Sequence, residues 1–139
     1  MLKLSSDAVS SAHPLSLTIL VADDSVTIRT MVTSRLERAG YDVTTASRGD
    51  DALRIAQEKR PRLVLLDVEM PGLDGVEVAR RIRADEQLAG TLIVLLTSLS
   101  EPSEVAAGMA AGVNAYLTKP FSPQDLQKQV EQLIGQPGA

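Results

Sequence analysis

Short apolar runs alternate with longer amphipathic segments along most of this chain. Three of the runs contain almost no polar residue and have the length of a single strand; they cover residues 17–22, 63–66 and 92–96. Near-continuous apolar runs of this length are typical of parallel strands whose two faces are both covered by helices. Residues 41–46 are more polar and alternate, which predicts a strand at the edge of the sheet, and residues 113–117 supply a fifth strand.

Helical patterns fill the gaps between these strands. The first helix carries apolar residues at helical spacing from Ile28 to Ala39 and ends at Gly40. The other four helices are predicted at residues 51–58, from Asp74, at residues 101–111 and from Ser122. Five strands that alternate with five helices predict a doubly wound α/β fold, in which ligands bind at the carboxyl ends of the strands.

The two ends of the chain differ in composition from this alternating part. Residues 1–15 are rich in serine and are predicted to form a flexible leader, and residues 136–139 are predicted to be a frayed tail. Residues 16–135 then form one folded domain, which suits a chain of 139 residues. Because aromatic residues make up only 2% of the chain, we expect an aliphatic core.

Charge and residue usage exclude several classes of function. The formal net charge of −4 argues against a nucleic-acid-binding protein, which usually carries a basic patch. The chain has no cysteine, so it forms neither disulfides nor thiolate metal sites. No apolar stretch has the length of a membrane span, and polar residues interrupt the N-terminus where a signal peptide would be apolar. We therefore expect a cytoplasmic protein without membrane insertion.

Polar side chains follow four of the predicted strands at the points where the strands end. They are Asp23 and Asp24 after the first strand, Asp67 after the third, Thr97 and Ser98 after the fourth, and Lys119 after the fifth. Two carboxylates about 4 Å apart repel by up to roughly 4 kcal/mol at an effective dielectric constant near 20. Mg²⁺ relieves such repulsion, because it prefers carboxylate, water and phosphate oxygens. The pattern predicts a metal-assisted phosphate site, in which Lys119 neutralises anionic oxygens and Thr97 donates a hydrogen bond.

Four motifs at these strand ends resemble those of bacterial response regulator receiver domains. They are Val21-Ala22-Asp23-Asp24-Ser25, Leu66-Asp67-Val68-Glu69-Met70-Pro71-Gly72-Leu73-Asp74-Gly75, Leu96-Thr97-Ser98 and Ala115-Tyr116-Leu117-Thr118-Lys119-Pro120-Phe121. Each motif is weak by itself, but all four in this order are highly specific. The resemblance covers roughly residues 17–134 and implies a flavodoxin-like sheet with strand order 2-1-3-4-5.

The resemblance implies a role for each residue of the acidic cluster. Asp67 would be the phosphoacceptor, which attacks a phosphohistidine of a sensor histidine kinase or a phosphotransfer protein. Asp24 would bind Mg²⁺ directly and Asp23 would help through a water molecule. Asp67 and the backbone carbonyl of Glu69 would complete the protein ligands.

The resemblance also implies how the domain responds to phosphorylation. Lys119, whose bond to Pro120 is often cis in the family, would contact the phosphoryl group. Thr97 would move to bind that group, and Tyr116 would turn inward in step. Since both switch residues flank the Ala-rich fourth helix, we expect this helix, with the fifth strand and helix, to form the surface for a downstream output protein. The implied activity is signalling, with self-catalysed phosphorylation and dephosphorylation and no other enzymatic role.

The biological setting is open to two interpretations. Residues 96–100 and 112–116 resemble stretches of receivers from chemotaxis-type pathways, which favours a stand-alone receiver that controls a partner protein. The alternative is a phosphate sink or shuttle in a phosphorelay.

Two other chemistries share parts of the pattern. A flavodoxin-like cofactor carrier needs a small hydroxyl or glycine loop after the first strand, where this chain has Asp23 and Asp24. An aspartate-based phosphohydrolase pairs its nucleophile with a second Asp two residues on, where this chain has Glu69. Both patterns are incomplete here, and the receiver hypothesis accounts for more of the motifs.

Overall fold

The computed structural model describes residues 17–98 and 102–137, and these residues form one parallel sheet flanked by helices. The strands are β1 (Thr18–Ala22), β2 (Asp42–Ala46), β3 (Leu63–Asp67), β4 (Leu92–Thr97) and β5 (Ala115–Thr118). They lie in the order β2-β1-β3-β4-β5, and all neighbouring pairs are parallel. The predicted fold and strand order are confirmed. The predicted leader and the last two residues of the predicted tail lie outside the described residues.

Five α-helices connect and follow the strands. They are α1 (Val26–Arg38), α2 (Gly49–Lys59), α3 (Gly75–Ala84), α4 (Pro102–Ala111) and α5 (Pro123–Ile134). Ser25, Asp74 and Ser122 each cap a helix by accepting a hydrogen bond from the backbone N–H three residues on. Across residues 17–98 and 102–137, no helix is both long and apolar enough to span a bilayer.

Some local features differ from the predicted elements, such as α2, which begins at Gly49 rather than at residue 51. β5 begins at Ala115 rather than at residue 113, because the backbone N–H of Val113 donates to the carbonyl of Gly108 and so closes the end of α4. A 3₁₀ turn at Glu86–Leu88 follows α3, and its three residues are too few to give a periodic signal.

The core consists of two aliphatic layers, one on each face of the sheet. Alternate residues of each strand face opposite layers. The first layer contains Leu20, Leu66 and Leu95, and the second contains Val21, Leu65 and Leu96. Helices α2, α3 and α4 add buried residues to the first layer, and α1 and α5 add theirs to the second. The inner strands are therefore buried on both faces, which explains why their sequences are almost wholly apolar.

We predict that Leu20→Ala lowers the free energy of unfolding by about 2–5 kcal/mol, because it leaves a cavity in a fully buried layer. Urea denaturation measures the change. Val26→Ala is the control, since Val26 is 65% exposed, and it should change the stability by about 0.5 kcal/mol or less. Equal losses for the two variants would contradict the assigned core.

Candidate functional site

The sheet brings three carboxylates together at its carboxyl edge. The register of β1 and β3 pairs Ala22 with Leu66, so Asp23 and Asp67 follow at neighbouring positions. Asp23, Asp24 and Asp67 each offer a carboxylate oxygen, and these oxygens lie within 4.8 Å of one another. Asp23 is fully buried and Asp67 is nearly so, whereas Asp24 is exposed.

One ammonium group contacts two of these carboxylates. Lys119 follows β5, and its Nζ lies 2.8 Å from Asp23 Oδ2 and 3.2 Å from Asp67 Oδ1. Backbone N–H groups also donate to the cluster, from Ser25 to Asp23 Oδ1 at 2.9 Å and from Glu69 to Asp67 Oδ1 at 3.4 Å. These contacts fix the orientation of both buried carboxylates.

Burial and like charge disfavour the ionised form of Asp67. Burial, followed by the charge of Asp23, raises the pKa of Asp67 from 3.8 to about 6, although Lys119 and the N–H of Glu69 act in the opposite direction. Burial alone would lower the pKa of the Lys119 ammonium, but hydrogen bonds and charges from Asp23 and Asp67 outweigh it and raise that pKa. Lys119 therefore stays protonated and neutralises only part of the negative charge.

The donor atoms of the cluster fit a hard divalent cation. Asp23, Asp24 and Asp67 supply carboxylate oxygens, which Mg²⁺ binds together with water and phosphate oxygens. Burial is the main cause of the raised pKa of Asp67 and the charge of Asp23 the second, and a cation among these oxygens would offset that charge. The backbone carbonyl of Glu69 belongs to the loop that follows β3, and its part in metal binding stays a prediction.

A cavity of about 170 Å³ opens beside Asp67. It is lined by Asp67, Val68, Glu69, Thr97, Ser98, Glu104 and Lys119. The volume accommodates a few water-sized groups. The cavity therefore brings together the predicted phosphoacceptor Asp67, the ammonium of Lys119 and the hydroxyl of Thr97.

Both predicted switch residues bond to α4. The Thr97 hydroxyl donates to Glu104 Oε1 at 3.0 Å, and the Tyr116 hydroxyl donates to the backbone carbonyl of Val105. Glu104 was not among the residues that the sequence indicated, because it belongs to none of the four motifs. Its place beside Thr97 depends on how α4 lies against the sheet.

Most of the described chain matches a known protein family. A family model, the response regulator receiver domain, matches residues 19–131. This chain belongs to the response regulator receiver domain family. The resemblance stated from the four motifs is thereby confirmed.

Solved receiver domains superimpose closely on this one. The chemotaxis response regulator CheY4 of Vibrio cholerae has a TM-score of 0.81 and 37% identity, and the match covers 86% of this chain and 99% of that chain. The receiver domain of the sensor histidine kinase PA1611 from Pseudomonas aeruginosa has a TM-score of 0.79 and 33% identity over 86% of this chain and 98% of its own. That structure has a magnesium ion coordinated in its active site cleft.

The curated relatives that this chain matches are longer proteins. The alkaline phosphatase synthesis transcriptional regulatory protein PhoP of Bacillus subtilis is 40% identical over 84% of this chain and 48% of its own length. The phosphate regulon transcriptional regulatory protein PhoB of Pseudomonas aeruginosa is 36% identical over 87% of this chain and 53% of its own. This chain thus spans about half the length of the curated relatives it matches.

The receiver fold places each predicted site residue. The three aspartates, Lys119 and Thr97 meet at the carboxyl edge, and Tyr116 lies in β5 with its hydroxyl on α4. The Glu69 side chain is exposed on the loop after Asp67. The bond between Lys119 and Pro120 is cis, as the resemblance implied. The roles of these residues in catalysis and switching stay predictions.

We predict that Asp67→Asn stabilises the metal-free domain at pH 7 by on the order of 2 kcal/mol. The folded-state pKa of Asp67, about 6, lies above the unfolded value near 3.8. The ionised carboxyl therefore lowers the free energy of unfolding, and this penalty has its full size above pH 6. The penalty decreases as the pH falls from 6 towards 3.8. Urea denaturation of both proteins with a chelator, at pH 7 and pH 4, measures the difference.

The control for this experiment is Asp42→Asn. Asp42 is exposed at the amino end of β2, at the opposite edge of the sheet from the cluster. The Asp42→Asn substitution therefore removes one carboxylate charge without changing the site. A stabilisation by Asp67→Asn that is the same at pH 4 and pH 7 would contradict the assigned burial penalty.

Proposed function

We propose that this domain is a response regulator receiver that accepts a phosphoryl group on Asp67 and signals through a phosphorylation-dependent protein-binding surface. The observation that carries the proposal is the Asp67 carboxylate at the end of the central strand, 3.2 Å from Lys119 and grouped with two further aspartates. The donor is a phosphohistidine of a sensor histidine kinase or of a phosphotransfer protein.

The chemistry needs alignment and charge neutralisation more than covalent assistance. A carboxylate oxygen of Asp67 forms a bond to phosphorus as the bond from phosphorus to the histidine nitrogen breaks, which leaves an acyl phosphate and a free imidazole. Lys119 holds Asp67 in place before transfer and offers its ammonium to the phosphoryl oxygens afterwards. The Thr97 hydroxyl, which lines the same cavity, donates to a phosphoryl oxygen once it turns inward.

A metal ion completes this charge balance. Asp23, Asp24, Asp67 and the backbone carbonyl of Glu69 would hold Mg²⁺, which when bound supplies positive charge to the carboxylates and the phosphoryl oxygens. The magnesium ion in the active site cleft of the similar receiver from PA1611 supports this assignment. The domain is then a signalling module whose catalysis is limited to its own phosphorylation and dephosphorylation.

The proteins that this chain resembles control two different kinds of process. The likeness to CheY4 favours a stand-alone chemotaxis receiver, whereas the curated relatives are transcriptional regulators about twice as long. A phosphate sink would use the same site and differ only in having no output partner.

We predict that acetyl phosphate with Mg²⁺ adds one phosphoryl group to the protein, measured by intact mass. Asp67→Asn should gain none, because the attacking carboxylate is missing, and a chelator should prevent the gain in the native sequence. Asp42→Asn is the matched control and should be phosphorylated normally. Phosphorylation of Asp67→Asn at the native rate would refute the proposed acceptor.

We predict that Mg²⁺ raises the melting temperature of the unphosphorylated domain. The rise should be about 5 °C when the Mg²⁺ concentration, in the millimolar range, is ten times the dissociation constant. Asp24→Asn should show roughly half of this rise or less, since Asp24 is an exposed carboxylate of the cluster. Asp42→Asn should keep the full rise. Thermal unfolding with and without Mg²⁺ measures both, and a full rise in Asp24→Asn would exclude that residue as a ligand.

A further inference from the structure

The first turn of α4 is attached to the sheet by two side chains. Thr97 at the end of β4 donates to the carboxylate of Glu104 at 3.0 Å, and Tyr116 of β5 donates to the carbonyl of Val105. Glu104 and Val105 are consecutive, so both strands hold the same turn of the helix. A change at either donor therefore acts on the amino end of α4.

Glu104 also lines the cavity beside Asp67 and Lys119. Its carboxylate is an anionic oxygen acceptor, as a phosphoryl group on Asp67 would be. The Thr97 hydroxyl has a single proton to donate. The Glu104 carboxylate and the phosphoryl group would therefore compete for the same hydrogen bond.

The other end of α4 is fixed independently of the site. Arg83 of α3 donates from Nε to the carbonyl of Gly112 at 2.8 Å and from a terminal nitrogen to Asn114 Oδ1 at 2.7 Å. The same Asn114 oxygen accepts the backbone N–H of Ile93 in β4 at 2.8 Å. The carboxyl end of α4 is thus tied to both α3 and β4.

Between its ends α4 has little large apolar surface in the core. Its buried residues are Gly108 and Ala111. A Cβ at position 108 would collide with the Tyr116 hydroxyl, so Gly108 provides the space that this hydroxyl occupies. Because packing contributes little, the side-chain bonds to the first turn supply a large share of what holds that turn.

We propose that Glu104 is an autoinhibitory latch: its carboxylate holds the Thr97 hydroxyl in the unphosphorylated domain, and the phosphoryl group on Asp67 frees the amino end of α4 by taking over that hydroxyl. The end fixed by Arg83 serves as the pivot. This inference rests on the proposed phosphorylation of Asp67.

A double-mutant cycle tests the latch without any phosphodonor. Glu104→Ala should speed amide hydrogen exchange in residues 105–108 about tenfold, since a hydrogen bond to a charged acceptor contributes at least that factor to an equilibrium constant. In a protein that already carries Thr97→Ala, the Glu104→Ala substitution should increase the exchange rate only slightly further. Ser103→Ala, exposed in the same turn, is the control and should not speed exchange.

The cycle separates the latch from a simpler effect. A glutamate in the first turn of a helix also stabilises it through the helix dipole, and that effect would persist in the Thr97→Ala background. An equal increase in the exchange rate with and without the Thr97→Ala substitution, or no increase in either case, would overturn the latch.

Acetyl phosphate with Mg²⁺ tests the release step. Glu104→Ala should be phosphorylated up to about tenfold faster than the native sequence, because more of the protein starts with Thr97 released. Native-like rates in this variant would overturn the latch while leaving the proposed function intact. No phosphorylation of the native protein by acetyl phosphate or by a phosphohistidine protein would overturn the proposed function, and the release step with it.

Discussion

The contact of one ammonium group with two carboxylates is the constraint on which the site depends. The register of β1 and β3 places Asp23 and Asp67 side by side and out of water, where their charges repel. β5 lies two strands from β3, so a long side chain is needed to reach across β4. Lys119 makes that connection. Without it, two buried carboxylates would face each other with no cation in contact, which costs several kcal/mol.

The compensation of negative charge by Lys119 is incomplete. Lys119 brings one positive charge to three clustered carboxylates, and burial, followed by the charge of Asp23, raises the pKa of Asp67. The burial of Asp67, with the charge of Asp23 beside it, disfavours the metal-free fold, and the remaining negative charge of the cluster favours a divalent cation. The two aliphatic layers supply the stability that allows the domain to keep this unfavourable edge. Stability and reactivity are therefore assigned to different parts of the sheet.

The sequence predicted what depends on strand order and missed what depends on helix placement. Asp23, Asp67 and Thr97 directly follow or end apolar strands, so their meeting follows from the rule that parallel strands end at one edge. Glu104 lies seven residues beyond Thr97, after a stretch whose path no local pattern specifies. The role of Gly108 in α4 is equally non-local, since it depends on how far the side chain of Tyr116 reaches from β5. Periodicity describes each helix singly, whereas these contacts arise between elements.

The relatives of this domain separate the chemistry of the site from the choice of output. CheY4 is a chemotaxis regulator and PhoP a transcriptional regulator, and this chain resembles both over most of its length. A shared acceptor site cannot by itself distinguish those outcomes, because the fold and its chemistry are common to them. The distinction must lie in surfaces that respond to the site. We propose that α4 is such a surface in this chain, because its first turn bonds to both predicted switch residues and Met109 on the same helix is 61% exposed. A helix held at one end by the site and at the other by Arg83 can report the state of Asp67 to whichever partner contacts its outer face.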